Sequence, residues 1–210
     1  MQLIAHRGLI NDNIKENTLE AFINAINNNY QGIELDIRLT KDKKIVVLHD
    51  KLINRTSNGK GNINNLTYKE LSNYNFGTNK IKSKLPLLKD VIENINNKII
   101  IIELKEEINE FEIDKILKLN NTNQYYLTSF NKKYIDNLKN INYKKGLINY
   151  VFNSNTDITK YDFLLVLESL FNKSIYNKLT NMSIEIILYG TLNNIKIKNK
   201  DIITNLKYII

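Results

Sequence analysis

The sequence predicts an α/β protein in which strands and helices alternate around a (β/α)8 barrel. Eight short apolar runs typical of strands are separated by helical or polar stretches. Strands that alternate with helices favour parallel βαβ units, and eight such units close a barrel. With 210 residues the chain lies near the lower end of the size range of this fold. We therefore expect one compact domain spanning residues 1–210.

The elements follow one another in a regular order. The first helix, NTLEAFINAINN, is amphipathic, and we expect Asn17 or Thr18 to cap it, with Glu20 closing a capping box from Asn17. The charged turn TKDKK joins GIELDIRL to the extra strand KIVVLHD, and the polar residues 51–84 predict a short insertion after the second barrel strand. The predicted barrel strands are QLIAH, GIELDIRL, KIIIIELK, QYYLTSF, KGLINY, DFLLVLE, SIEIILYG and DIIT. The further predicted helices are TYKELSNY, LLKDVIEN, NKKYIDNLK and SLFNKSIYNKL.

Composition excludes several classes of protein. The formal net charge is +8, which suits anionic partners, but the lysines are scattered and form no basic-aromatic stripe of the kind that binds nucleic acid. The chain has no cysteine, so disulfide and thiolate chemistry are excluded. Its start, MQLIAHRG, lacks the features of a signal peptide, and IIIIEL is too short to span a bilayer. We expect a cytoplasmic protein without a transmembrane segment that does not bind nucleic acid.

Acidic side chains lie within two of the predicted strands. Side chains alternate faces along a strand, so Glu34 and Asp36 share the face opposite the apolar residues of GIELDIRL. Glu103 and Lys105 repeat this pattern in KIIIIELK. Three carboxylates at a barrel mouth need a counter-charge, and oxygen ligands suit magnesium or calcium. The spacing alone leaves a metal site and exposed acids, or an acid paired with Lys105, as alternatives.

The chain has two histidines, and both follow apolar strand runs. His6 ends LIAH and His49 ends IVVLH, so parallel strands would bring both to the rim that holds the carboxylates. Histidine has a pKa of ~6.5, which suits proton transfer near neutral pH. The two histidines are therefore candidate acid–base groups.

The motifs together resemble the glycerophosphodiester phosphodiesterase family. HRG, ENT, ELD, TKD and HD occur in that order, with NRTSNGKG close behind, and the first 60 residues carry the most specific matches. The later matches, listed in chain order, are LPLLKDVI, IELK, LTSFN and DIITN.

The resemblance implies a TIM barrel that hydrolyses glycerophosphodiesters to glycerol 3-phosphate and an alcohol, in phospholipid and glycerol metabolism, with one bound Mg²⁺ or Ca²⁺. It leaves open whether Glu16 and Asn17 cap a helix or make polar contacts in the site. The residue roles that the resemblance implies are metal ligands at Glu34, Asp36 and Glu103, an acid–base pair at His6 and His49, phosphate contacts at Arg7 and Lys105, and support from Glu16 and Asn17.

The sequence departs from the family pattern at positions that bear on which substrate is bound more than on how the phosphodiester is cleaved. Gly190 interrupts the late strand end at Tyr189, the closing TN replaces the usual Thr-Asp, and the insertion at 51–84, which caps the site in the family, is short. Three alternatives to this function are a lysophospholipase D-like or sphingomyelinase D-like enzyme, a catalytically weak barrel that binds phosphodiesters, and a basic nucleic-acid-binding protein, which the scattered lysines disfavour.

Overall fold

The structure is a computed structural model that describes residues 2–149, 155–190 and 208–209. Strands and helices alternate along the chain, as the sequence predicts. The strands are β1 (Gln2–His6), β2 (Gly32–Leu39), β3 (Ile45–Val47), β4 (Ile99–Leu104), β5 (Gln124–Ser129), β6 (Lys144–Ile148), β7 (Phe163–Leu167), β8 (Glu185–Tyr189) and β9 (Tyr208–Ile209). The helices are α1 (Leu19–Asn27), α2 (Tyr68–Leu71), α3 (Leu88–Asn94), α4 (Glu110–Leu117), α5 (Lys132–Asp136) and α6 (Lys173–Asn181).

The sheet closes on itself. β1 pairs in parallel with β2 on one side and with β9 on the other, and the remaining parallel pairs run from β2 through β4 to β9. Eight parallel strands thus form the barrel, and β3 is an antiparallel arm on β2. The predicted (β/α)8 TIM barrel is confirmed.

The two faces of the sheet bury different apolar sets. Ile33, Leu35 and Ile37 belong to the large core between the strands and the helices. Ile101 and Tyr126 belong to a smaller core inside the barrel. Since the Glu34 and Asp36 side chains alternate with the first set, they point to the interior.

The insertion after β3 has a core of its own. Its buried side chains contact the outer face of the β3 arm, where Leu48 leaves the strand. The cluster consists of Val46, Leu48, Ile53, Ile63, Leu71, Phe76 and Leu85. This small core fixes the path of the loop that follows His49.

The start of α1 corrects one prediction. Thr18 is the N-cap, and its side chain accepts a hydrogen bond from the Ala21 amide. Asn17 has a φ of 54°, and its amide side chain bonds to Asp36 instead. The capping box predicted between Asn17 and Glu20 is therefore wrong, because Asn17 turns into the barrel before the helix begins.

Two elements differ from the predicted list. α4 was not predicted, because its acidic residues dilute the apolar pattern and only Ile113 and Leu117 are buried. The predicted last strand DIIT lies outside the described residues, and the eighth barrel strand is β9 at Tyr208–Ile209.

Candidate active site

The register of the parallel strands assembles the site. His6 lies beside Glu34 across β1 and β2, and Asp36 lies beside Glu103 across β2 and β4. His6 ends β1 and Glu103 is next to the end of β4, and the strand register brings Glu34 and Asp36, from the middle of the longer β2, to the same level. This is the end at which (β/α)8 barrels carry their active sites. The structure thus brings together the residues that the sequence places at one rim of the barrel.

Glu34, Asp36 and Glu103 form a buried cluster. One carboxylate oxygen from each lies within 4.8 Å of those of the other two, and the residues are 3%, 0% and 7% exposed. Burial, followed by the charges of Asp36 and Glu103, raises the pKa of Glu34 well above its usual value. Burial and the Asp36 charge raise the pKa of Glu103 to about 7. Burial and mutual repulsion therefore oppose the simultaneous ionisation of all three carboxyl groups in the protein alone.

Two cations offset part of this charge. The Lys105 ammonium lies 2.6 Å from Glu103 Oε1 and 3.0 Å from Asp36 Oδ1, and Arg7 Nε lies 3.2 Å from Asp36 Oδ2. The backbone amide of Arg7 donates to Glu34 Oε2 at 3.1 Å. Lys105 is close to Asp36 Oδ1 but is not oriented to bond it, so that buried oxygen has no hydrogen-bond partner among the described residues. An orphaned buried oxygen within an all-oxygen donor set fits a hard divalent cation.

One histidine contacts this cluster, and the other lies where the β3 arm ends. His6 Nε2 is 3.8 Å from Glu34 Oε2, and partial burial together with the charge of Arg7 lowers the His6 pKa. His49 Nδ1 is 2.6 Å from Asp50 Oδ1, and the His49 carbonyl accepts a hydrogen bond from Arg38 Nε at 2.8 Å. If His49 is neutral, this geometry assigns the proton to Nδ1 and leaves Nε2 as an acceptor.

Glu16 and Asn17 contact the site and do not cap the helix. Asn17 Nδ2 donates to Asp36 Oδ2 at 2.8 Å, and Glu16 Oε1 accepts from Arg7 Nη1 at 2.9 Å. Between the alternatives for these two residues, the structure therefore favours polar contacts in the site.

The bend that begins the β1–α1 loop requires a glycine. Gly8 has a φ of 84°, and a Cβ there would lie 2.6 Å from Ala21 Cβ and 2.7 Å from the Ala21 carbonyl carbon. The loop thus approaches α1 closely just after Arg7, itself at a φ of 57°. This contact fixes the backbone position from which the Arg7 side chain extends.

Sequence reasoning assigned no role to Asp50 and Arg55. Asp50 contacts His49, and Arg55 bonds both Asp50 and Glu16. The signal was present in the HD and NRTSNGKG motifs, but the pairing depends on the path of the insertion, which local spacing does not reveal.

The mouth of the barrel carries exposed apolar side chains. Three of them follow the carboxyl ends of barrel strands and the fourth, Leu52, lies in the insertion. Phe130 lies 5.8 Å from the Lys105 ammonium, measured to the ring centre. These residues are Ile10, Leu52, Phe130 and Leu170, with exposures of 57%, 50%, 51% and 43%.

A separate cavity of about 360 Å³ lies outside the barrel. Its lining includes Lys43, Lys44, Lys89 and Lys115, and it shares no residue with the carboxylate cluster. We therefore locate the candidate chemistry at the barrel mouth, where the titratable groups converge. Within residues 2–149, 155–190 and 208–209, every helix is too short or too polar to span a lipid bilayer.

Comparison with known proteins points to one family. A sequence model described as the glycerophosphoryl diester phosphodiesterase family matches residues 6–178. A glycerophosphodiester phosphodiesterase of Bacillus altitudinis is 40% identical over 51% of this chain and 46% of its own length. A human protein named lysophospholipase D GDPD1 is 31% identical over 74% of this chain and 49% of its own length.

The solved structures agree with the sequence comparison. A glycerophosphodiester phosphodiesterase from Thermotoga maritima superposes with a TM-score of 0.81 at 29% identity, covering 99% of this chain and 92% of that one. The matched region spans about half the length of the curated relatives named above.

Proposed function

Because the chain belongs to the glycerophosphoryl diester phosphodiesterase family, we propose that it hydrolyses glycerophosphodiesters to glycerol 3-phosphate and an alcohol. The observation that carries this proposal is the buried carboxylate cluster at the barrel mouth, with His6 Nε2 3.8 Å from Glu34 Oε2. The product would link the reaction to phospholipid and glycerol metabolism.

Glu34, Asp36 and Glu103 would hold one divalent cation, Mg²⁺ or Ca²⁺. When bound, the cation would supply positive charge for the phosphoryl oxygens as negative charge develops on them. The pKa of Glu103, raised by burial and the Asp36 charge, and the Asp36 oxygen without a hydrogen-bond partner support this assignment, because Arg7 and Lys105 offset only part of the buried negative charge.

Arg7 and Lys105 would contact the substrate phosphate. Both cations already border the cluster, and only 20% and 11% of their side chains are exposed. Their ion pairs with Asp36 and Glu103 keep them oriented toward the place where an anion would sit. A phosphodiester there would meet donors that are fixed before it binds.

His6 and His49 would transfer the protons. One would take the proton of the attacking oxygen, which belongs to water or to the neighbouring glycerol hydroxyl, and the other would protonate the departing alcohol. Asp50 would keep His49 in the tautomer whose Nε2 accepts a proton.

A lysophospholipase D-like activity is the second candidate, with a sphingomyelinase D-like activity in the same class. Its support is the set of exposed apolar side chains at the mouth, among them Phe130 beside Lys105, together with the name of the human relative. Apolar side chains at a mouth suit an acyl chain better than a small polar head group.

A product assay separates these candidates. The purified protein would be incubated with Mg²⁺ or Ca²⁺ and with glycerophosphocholine, glycerophosphoethanolamine or lysophosphatidylcholine, and the released glycerol 3-phosphate, choline and lysophosphatidic acid would be measured. We expect glycerol 3-phosphate from the first two. Faster turnover of the lysolipid would favour the second candidate, and binding without turnover would indicate a catalytically weak barrel.

A further inference from the structure

Arg55 bridges two loops that lie over the site. It belongs to the insertion after β3, and its guanidinium bonds two carboxylates. Nε lies 2.6 Å from Asp50 Oδ2 and Nη2 lies 3.1 Å from Asp50 Oδ1. Nη1 lies 2.7 Å from Glu16 Oε2 and Nη2 lies 2.9 Å from Glu16 Oε1. Each carboxylate is held by two hydrogen bonds, an arrangement that only a planar guanidinium can offer to both.

Each of these carboxylates in turn touches a residue of the proposed chemistry. Asp50 Oδ1 lies 2.6 Å from His49 Nδ1, and Glu16 Oε1 lies 2.9 Å from Arg7 Nη1. A continuous chain of contacts therefore runs from His49 through Asp50, Arg55 and Glu16 to Arg7.

The charges support the same arrangement. The hydrogen bonds of Arg55 hold the pKa of Asp50 well below its usual value. Burial alone would raise the pKa of Glu16, but the hydrogen bonds and charges of Arg55 and Arg7 outweigh it and lower that pKa. Both carboxylates therefore remain ionised acceptors, which their contacts with His49 and Arg7 require.

We propose that Arg55 is a positioning residue that orients His49 and Arg7 through Asp50 and Glu16, and this rests on the phosphodiesterase function proposed above. Arg55 donates two hydrogen bonds to each of Asp50 and Glu16, so its loss would free both carboxylates to rotate. His49 would then spend less time with Nδ1 bonded and Nε2 free to accept a proton. Removing a group that orients a functional side chain typically costs on the order of 10–100-fold in activity.

The first test compares single variants. Arg55→Ala should lower kcat on the order of 10–100-fold with a smaller change in KM, and Arg55→Lys should restore only part of it, because an ammonium cannot bond both carboxylates in a plane. Lys118→Ala is the matched control, since it removes an exposed ion pair with Asp114 on α4. The control should keep normal turnover. Full activity in Arg55→Ala would overturn the proposal.

Double-mutant cycles test whether Arg55 acts on His49 through Asp50 and on Arg7 through Glu16. If Arg55 acts through Asp50, Arg55→Ala should add little to the loss already caused by Asp50→Asn, because the contact it supports is gone. The same comparison with Glu16→Gln tests the path to Arg7. Fully additive losses in both cycles would contradict a positioning role.

A readout without turnover keeps this inference separate from the proposed function. The chain has two histidines, so ¹H–¹⁵N spectra of the imidazoles of untagged protein can be assigned with a His6→Ala variant. We expect His49 to be mainly the Nδ1-protonated tautomer in the wild type and a mixture in Arg55→Ala. An unchanged tautomer would refute the positioning role, whereas an inactive wild type with the expected tautomer shift would refute only the phosphodiesterase function.

Discussion

Asp36 is the most constrained carboxylate of the site. It is fully buried and contacts Arg7, Asn17 and Lys105. Two cations and an amide still leave one of its oxygens without a hydrogen-bond partner in the described part of the chain. Burying a charge is costly unless it is fully compensated, so the position of Asp36 is better suited to the proposed role of cation ligand than to a role in folding.

Asp36→Asn should therefore remove cation binding more than folding. We expect Mg²⁺ or Ca²⁺ to raise the melting temperature of the wild type and to leave that of Asp36→Asn unchanged, because binding only the native state stabilises it. Differential scanning fluorimetry with and without the cation measures this. The control Asp114→Asn changes an acid on α4 and should keep the response. An equal shift in Asp36→Asn would exclude this residue as a ligand.

His49 should matter to turnover and little to stability. We expect His49→Ala to lower kcat on the order of 10²–10⁴-fold and to retain cation binding, because His49 is not a proposed ligand. Its combination with His6→Ala should cost much less than the product of the single losses, since the two act as a unit. Kinetics and melting curves on the purified variants check both. A folded His49→Ala protein with near-normal turnover would end the two-histidine mechanism.

The β1–α1 loop depends on a close contact with the first helix. A Cβ at Gly8 would meet the side chain, carbonyl carbon and carbonyl oxygen of Ala21, and none of these backbone atoms can move without shifting α1. Gly8→Ala should cost about 1–3 kcal/mol of unfolding free energy and displace Arg7.

Gly190→Ala is the matched control for that change. Gly190 has a φ of 80°, close to that of Gly8, but within the described ranges its Cβ would meet only the flexible end of Leu167. Chemical denaturation of both variants should show the larger loss for Gly8→Ala. Equal losses would mean that the left-handed backbone, and not the contact with Ala21, sets the cost.

Helix α5 is tied to the segment before β7 by a pH-dependent cluster. Asp136 bonds Lys132 and the Tyr161 hydroxyl and pairs with Lys160 at 3.0 Å. Burial alone would raise the pKa of Asp136, but these three partners outweigh it and lower the pKa to about 2. The folded state thus binds this proton more weakly than the unfolded state, so the stabilisation is present above pH ~4 and disappears as pH falls toward ~2.

Asp136→Asn should remove that stabilisation. We expect a loss on the order of 1 kcal/mol at neutral pH, after allowance for solvent screening, that shrinks to nothing near pH 2. Urea denaturation across this pH range measures it, and added salt should reduce it. A loss independent of pH would show that the cluster acts through packing.

Local patterns predicted β1, β2 and β4 to β8, but not β9, and the face of β2 that carries the acids, because their period is short. Alternation along GIELDIRL places Glu34 and Asp36 on one face whatever the rest of the chain does. The contact between Arg55 and Glu16 joins residues 39 positions apart through the insertion, so no periodicity could reveal it. The role of Asn17 was also open, because an asparagine just before a helix can cap it or contact a distant residue such as Asp36.

The closed barrel explains why distant motifs meet. β1, β2 and β4 are neighbours in the sheet although α1 and the whole insertion separate them in sequence. Their register therefore brings His6, the two acids of β2 and Glu103 to one mouth, His49 follows the β3 arm, and the insertion supplies Arg55. The insertion has its own buried core, so it can hold those side chains rigidly.

The most direct test of the account is cation-dependent hydrolysis by protein first freed of metal. Glycerophosphocholine would be added to EDTA-treated protein, and glycerol 3-phosphate would be measured before and after addition of excess Mg²⁺ or Ca²⁺. The account predicts no release without the cation, restored release with it, and no restoration in Glu103→Gln. Undiminished release in the presence of EDTA would contradict the metal-dependent mechanism built on Glu34, Asp36 and Glu103.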